Sequence, residues 1–233
     1  MRTITILTRA SVLAILLGVG IGSVAAADPT GRVSGKVMVT EADGKAATGV
    51  DVIVYVVGPA VPAADAAAKP AKTTIKQEGR RFIPDLVGIT VNDSVEFPNF
   101  DNYMHNVFSQ SPSRKFDLGS MKKGDDAKSK QFTQAGVIDV YCNIHPEMAA
   151  TILVLPNRWH TKAKPDGSFS IDNVPVGSWK VFAYARRATQ PASADVKVGG
   201  GDAPIELTLK RGAEVDHLNK YGEKYKAGGK TYP

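Results

Sequence analysis

Among its 233 residues the chain has one cysteine, Cys142, and four histidines. A lone cysteine excludes a disulfide within the chain. It also leaves a structural zinc site, which wants four strong ligands, short of thiolates. The histidines, at 105, 145, 160 and 217, are too few for a catalytic cluster of several imidazoles once any two are engaged elsewhere. No Ser-His-Asp set, glycine-rich phosphate loop or paired catalytic carboxylates stands out, so no enzyme activity is expected. The charge surplus is small, 29 basic against 23 acidic residues. Basic patches interleaved with aromatics are missing, which argues against a nucleic-acid partner.

Long apolar runs are scarce too. Ser11 to Val24 is apolar but falls short of the ~20 residues that a spanning helix needs. Arg2 and Arg9 give it a basic start, and Ala25-Ala26-Ala27 ends it with a small-residue cleavage signal. Residues 1–27 therefore read as a secretory signal peptide cut before Asp28. No twin-arginine pair precedes the apolar run and no cysteine follows it, so a lipoprotein anchor is not expected. The expectation is an exported chain, periplasmic, with no stable membrane insertion after cleavage. Its charge is then 27 basic against 23 acidic, about +4, a mild basicity that fits an acidic redox partner or a membrane surface equally.

What the sequence does have is concentrated in Tyr141-Cys142-Asn143-Ile144-His145-Pro146-Glu147-Met148 and in His105 upstream. Period-2 alternation in Gly136 to Cys142 puts Ile138, Val140 and Cys142 on one face and Asp139 on the other, so the thiol points inward. The chain turns at His145-Pro146 and resumes as an apolar strand, Ala150 to Leu155. One thiolate, two imidazoles and a weak thioether form the donor set that suits copper in an electron-transfer site. The expected ligands of one Cu(I)/Cu(II) centre are His105, Cys142, His145 and Met148. Met104 should face away from His105. His145, well into a hydrophilic loop, is the ligand expected to reach the surface.

These residues resemble the cupredoxins, the type 1 blue copper proteins. The resemblance rests on C-x2-H-x2-M after an apolar strand and on the upstream His105-Asn106. It also rests on Phe82-Ile83-Pro84 and on Ile89-Thr90-Val91-Asn92-Asp93-Ser94-Val95-Glu96-Phe97-Pro98-Asn99, in which Asn92-Asp93 stands where the family often has Gly-Asp. The Cys142–Met148 loop is most like that of amicyanins; plastocyanins and pseudoazurins carry a longer His-to-Met gap. The resemblance covers about residues 72–157. It implies a Greek-key β-sandwich, with Asn106 hydrogen-bonding near the thiolate, and a redox partner of dehydrogenase or cytochrome c type.

A second resemblance flanks the first. Asp166-Gly167-Ser168-Phe169-Ser170-Ile171, Val174-Pro175-Val176-Gly177 and Trp179-Lys180-Val181 are similar to the carboxypeptidase regulatory-like, or transthyretin-like, β-sandwich. The opening strands of that family have counterparts only at residues 31–57. The chain is therefore expected to be all-β, with a cupredoxin sandwich at 72–157 inserted into a smaller one made of 28–60 and 158–211. Residues 61–71 would be an Ala/Pro-rich linker, and 212–233 a basic tail with polar helical potential from Ala213 to Tyr225. His160 and His217 read as surface histidines, Trp159 and Trp179 as packing residues, and Glu147 as a solvated charge. The expected function is a mobile one-electron carrier; the alternative is a copper-binding or delivery protein, or an adhesion-type module with a structural copper site.

Overall fold

The computed structural model describes residues 29–58 and 68–225. The expected signal peptide, the Ala/Pro-rich stretch over 59–67 and the last eight residues of the tail lie outside the described residues. Among the described residues every regular element is a strand. In chain order these are β1 (Thr30–Thr40), β2 (Ile53–Val57), β3 (Lys72–Thr74), β4 (Lys76–Gln77), β5 (Phe82–Ile83) and β6 (Leu86–Thr90). Then come β7 (Ser94–Phe97), β8 (His105–Ser109), β9 (Phe116–Met121), β10 (Lys128–Gln131), β11 (Gly136–Tyr141) and β12 (Ala149–Leu155). The last five are β13 (His160–Lys162), β14 (Ser168–Pro175), β15 (Gly177–Tyr184), β16 (Ala192–Val198) and β17 (Asp202–Lys210).

The strands close over two main apolar cores. One core joins Val33 and Val37 of β1 and Val54 and Val56 of β2 to Phe169, Val181, Val196, Leu207 and their neighbours. It lies between two sheets, of order β14-β1-β17 and β13-β2-β15-β16. β1 runs antiparallel to β14 and parallel to β17, and β2 is flanked antiparallel by β13 and β15. Neither β1 nor β2 hydrogen-bonds to a strand from 72–155. The other core, with Ile75, Val95, Phe97, Phe132, Ile138 and Val140 among its members, lies between the sheets β6-β12-β11-β8-β9 and β10-β7-β3.

β12 shows how the two halves touch. Its sequence is apolar at nearly every position because both faces are covered. Ile152 and Val154 face the core that contains Cys142, while Leu153 and Leu155 face the other way, onto Ile53 of β2 and Leu86 of β6. Gly88 on β6 lies at this seam, where an added Cβ would stand 2.8 Å from Cγ2 of Ile53. Polar bonds frame the same seam: the Asn157 amide donates to the Val56 carbonyl (3.0 Å), and Arg158 pairs with Asp93 at 3.5 Å. Asn92 holds the left-handed turn after β6 (φ 75°), a conformation that asparagine tolerates better than most residues, and so it can stand in for glycine there. Asp93 completes that turn by accepting the Thr90 N–H at 2.9 Å.

The helical potential of Ala213 to Tyr225 is not realised. From Gly212 to Tyr225 the chain forms no regular element, with one turn closed by the Gly222 N–H on the Asn219 carbonyl at 3.0 Å. Each polar side chain in this segment that bonds a distant residue withdraws it from a helix, and the tail buries too little apolar surface of its own to override that.

Candidate metal centre

β11 delivers Cys142 at its end, and its alternation holds: Ile138, Val140 and Cys142 are fully buried. β8 lies beside it, pairing Phe108 with Tyr141, and its first residue, His105, brings Nδ1 to 3.9 Å from the Cys142 sulfur. The loop back into β12 is tight. The Met148 N–H donates to the His145 carbonyl (3.0 Å), and the Cys142 N–H donates to the Met148 carbonyl (3.2 Å). His105, Cys142 and His145 are thereby brought together with all ligand atoms within 4.8 Å. Met148 is also fully buried and shares the apolar core with Cys142.

The triangle can be sized. Nδ1 of His105 stands 3.0 Å from Nδ1 of His145, and Sγ of Cys142 stands 3.9 Å from each. A point in that plane about 2.0 Å from both nitrogens stands about 2.3 Å from the sulfur, the lengths of metal–imidazole and metal–thiolate bonds. The donor positions therefore fit a single small metal ion.

Hydrogen bonds orient the donors. Nε2 of His105 lies 2.8 Å from Oδ2 of Asp101; a carboxylate only accepts, so Nε2 carries the proton and Nδ1 is left bare toward the triangle. Asp101 is itself fixed, accepting the N–H groups of Gly79 (2.8 Å) and Arg80 (3.0 Å). Burial pushes the Asp101 carboxyl up, but the bonds from Arg80, His105 and Gly79 together outweigh it and hold it below the ordinary carboxylate range. Asn99 anchors the intervening turn, donating to the carbonyls of Tyr103 and Met121, both at 2.9 Å. The Asn106 backbone N–H points at the Cys142 sulfur from 3.5 Å. Burial raises the Cys142 thiol above its usual pKa, with the N–H groups of Asn106, Ile144 and His145 opposing it. Burial lowers His145, and the neighbouring His105 and Arg80 add to that. The His145 imidazole is thus favoured as a neutral donor.

The expectations for three histidines are corrected. His145 does not reach the surface: it is 4% exposed, and His105 is 0% exposed. Tyr103, 42% exposed, stands edge-on over both rings at centroid distances of 5.3 and 5.5 Å and covers them. Glu147 is exposed, as expected of a solvated charge, and pairs there with Arg80. His160 and His217 are not loose surface groups either. Nε2 of His160 meets the Thr90 hydroxyl at 3.1 Å across the seam, and His217 lies flat on Tyr141 at 3.8 Å. Trp159 is buried in the core of the flanking sheets, donating to the Asn173 carbonyl at 2.8 Å.

Sequence reasoning missed Asp101, Tyr103 and the tail. A carboxylate four residues before a ligating histidine was the available signal for Asp101. Nothing local marked Tyr103 or the tail, whose roles arise from contacts between distant segments.

No family model matches the sequence, and no curated protein matches it. Solved structures do. A reduced tryptophan-to-tyrosine variant of amicyanin is similar at 24% identity and a TM-score of 0.34, covering 44% of this chain and 98% of that one. A methionine-to-glutamine variant of amicyanin in its Cu(I) form is similar at 21% identity, with the same TM-score and coverage. The described residues are all-β, amicyanin structures are among the neighbours of the chain over less than half its length, and two histidines and the cysteine come together in one cluster.

Proposed function

We propose that His105, Cys142 and His145 hold one copper ion, with Met148 as a weak fourth donor, and that the protein is an exported one-electron carrier. The observation that carries this reading is the buried triangle of two Nδ1 atoms and one Sγ, sized for a metal, with the His105 Nδ1 left bare by the bond its Nε2 makes to Asp101. A thioether beside one thiolate and two imidazoles favours copper over zinc. When bound, the metal supplies a Cu(I)/Cu(II) couple. Asp101 fixes the His105 tautomer, Asn106 directs an N–H at the sulfur, and the β8–β11–β12 frame keeps the donors from rearranging as the charge changes. With His145 covered, Tyr103 is an exposed group that packs on both imidazoles. It offers the surface for a partner of dehydrogenase or cytochrome c type.

The same reading takes residues 72–157 as a cupredoxin unit set into a transthyretin-like sandwich made of 28–60 and 158–211. It is supported by the pairing of β1 and β2 with strands beyond residue 160 and by the two separate cores. Periplasmic export rests on the apolar N-terminal run and its Ala-Ala-Ala ending. The deciding experiment is the visible spectrum of the copper-loaded protein. An intense thiolate-to-copper band that bleaches reversibly on reduction is the expected result; tight Cu(I) binding with no such band on oxidation defeats the carrier reading.

A further inference from the structure

We propose that the C-terminal segment, residues 217–225, is an outer wall of the metal centre that positions Cys142 and the residue beside His105; this rests on the reading of the triangle as a copper site. The segment grips the ligand loop on three consecutive residues. The ring of His217 lies on Tyr141, with centroids 3.8 Å apart and planes 11° from parallel. The Tyr225 hydroxyl donates to the Cys142 carbonyl at 2.9 Å, and the Lys220 N–H donates to Oδ1 of Asn143 at 3.0 Å. Tyr225 also stands edge-on to His217 at 5.3 Å, so the two aromatic contacts brace each other.

A second line of bonds runs from the tail to the other side of the site. The Lys220 ammonium donates to Oδ2 of Asp117 at 2.9 Å, and Oδ1 of Asp117 accepts the Asn106 side-chain amide at 2.7 Å. The Asn106 backbone N–H is the one aimed at the Cys142 sulfur. Lys220 itself is held through its carbonyl by the Gln110 amide at 2.7 Å. The tail thus reaches the thiolate twice, through the Cys142 carbonyl and through the donor to its sulfur. Apolar burial does not explain this placement. Leu218 and Tyr221 are 49% and 70% exposed, so the segment is held by polar bonds and by aromatic stacking, and these converge on the Cys142 loop.

Tyr225, Lys220 and Asp117 are positioning residues, because none of them is in the donor triangle. The test uses full-length, copper-loaded protein. Tyr225→Phe removes one hydroxyl and keeps the ring; Lys220→Met removes the ammonium and keeps the backbone donor to Asn143. Tyr221→Phe, on the exposed side of the same segment, is the control. The readouts are the energy of the thiolate-to-copper band, the copper hyperfine splitting in electron paramagnetic resonance, and the rate of copper loss to a chelator. The expected result is a shifted band and splitting in both variants, with copper loss about five-fold faster, the fold-change one ordinary hydrogen bond is worth. Tyr221→Phe should match the parent. A parent protein with no thiolate-to-copper band sinks the copper reading itself. A parent with the band, and variants that lose thermal stability while their spectra and copper loss stay at parental values, leaves the copper reading standing and overturns the tail's positioning role.

Discussion

Replacing Asp101 with asparagine tests the centre through a residue that touches no metal. In the parent, the two carboxylate oxygens serve three donors: the Gly79 and Arg80 N–H groups and Nε2 of His105. An asparagine has one acceptor oxygen and one donor amide, so it cannot satisfy both sides. With its oxygen at the Oδ1 position it keeps the Gly79 N–H, and its amide then faces both the Arg80 N–H and the protonated Nε2, a clash the ring escapes by moving its proton to Nδ1. Nδ1 is the atom 3.0 Å from its counterpart on His145, so the proton would occupy the lone pair meant for the metal. If the amide turns the other way, the oxygen keeps the Arg80 N–H and Nε2, and the Gly79 N–H faces an amide in place of its acceptor. Outer carboxylates on ligating histidines are worth about 10–100-fold in metal affinity, and the tautomer conflict puts Asp101→Asn in the upper half, about 30- to 100-fold. That is about 2–2.8 kcal/mol at 1.4 kcal/mol per decade. Cu(I) affinity by competition with a coloured chelator measures the loss, and nitrogen NMR of the metal-free protein reports which ring nitrogen of His105 carries the proton. Unchanged affinity with Nε2 still protonated would refute the argument that Asp101 prepares the ligand.

Three further perturbations bear on the same framework. Cys142→Ser should abolish the blue absorption, since a hydroxyl is a poor replacement for a thiolate, and a persisting band would mean that the donor is elsewhere. Met148→Leu should keep copper bound while raising the reduction potential, and Met148→Gln should lower it, because a thioether is a long, weak axial donor and an amide oxygen favours Cu(II); voltammetry showing no change in either variant would remove Met148 from the site. Gly88→Val should destabilise the protein by about 1–3 kcal/mol by overpacking the seam, with little change in the copper spectrum. Its added Cβ alone would stand 2.8 Å from Ile53, which is buried. A melting temperature equal to the parent's would show that the seam yields freely.

The parts of the centre that could be read from the sequence are those set by local periodicity. The inward face of Cys142 follows from strand alternation, and the tight return through His145 and Met148 follows from their spacing. The unbroken apolar run of β12 signals a strand covered on both sides, though not what covers it. What escaped was long-range. Tyr103 lies far from His145 in the chain, and only the turn pinned by Asn99 swings it over both rings. The tail reads as a polar helix former because propensity is local, while Lys220 and Tyr225 find their partners at Asn143, Asp117 and Cys142. His160 and His217 carry no local sign of the Thr90 and Tyr141 contacts that take them out of solvent.

The pairing of β1 has a consequence for how the chain reaches its native state. Val33 finds its antiparallel neighbour at Ile171 and its parallel neighbour at Ala203, so β1 leaves synthesis long before either partner exists. Contacts of such separation make for slow folding. The core around Ile75 to Val154 draws its strands from a continuous stretch and can close first. Its closure shortens the flexible loop between β2 and β13, which lowers the entropic barrier to joining them by roughly 1 kcal/mol. Refolding of the flanking sheets should therefore follow, and be accelerated by, closure of the inner core, and a metal ion that stabilises the inner core should hasten the maturation of an outer sandwich it never touches.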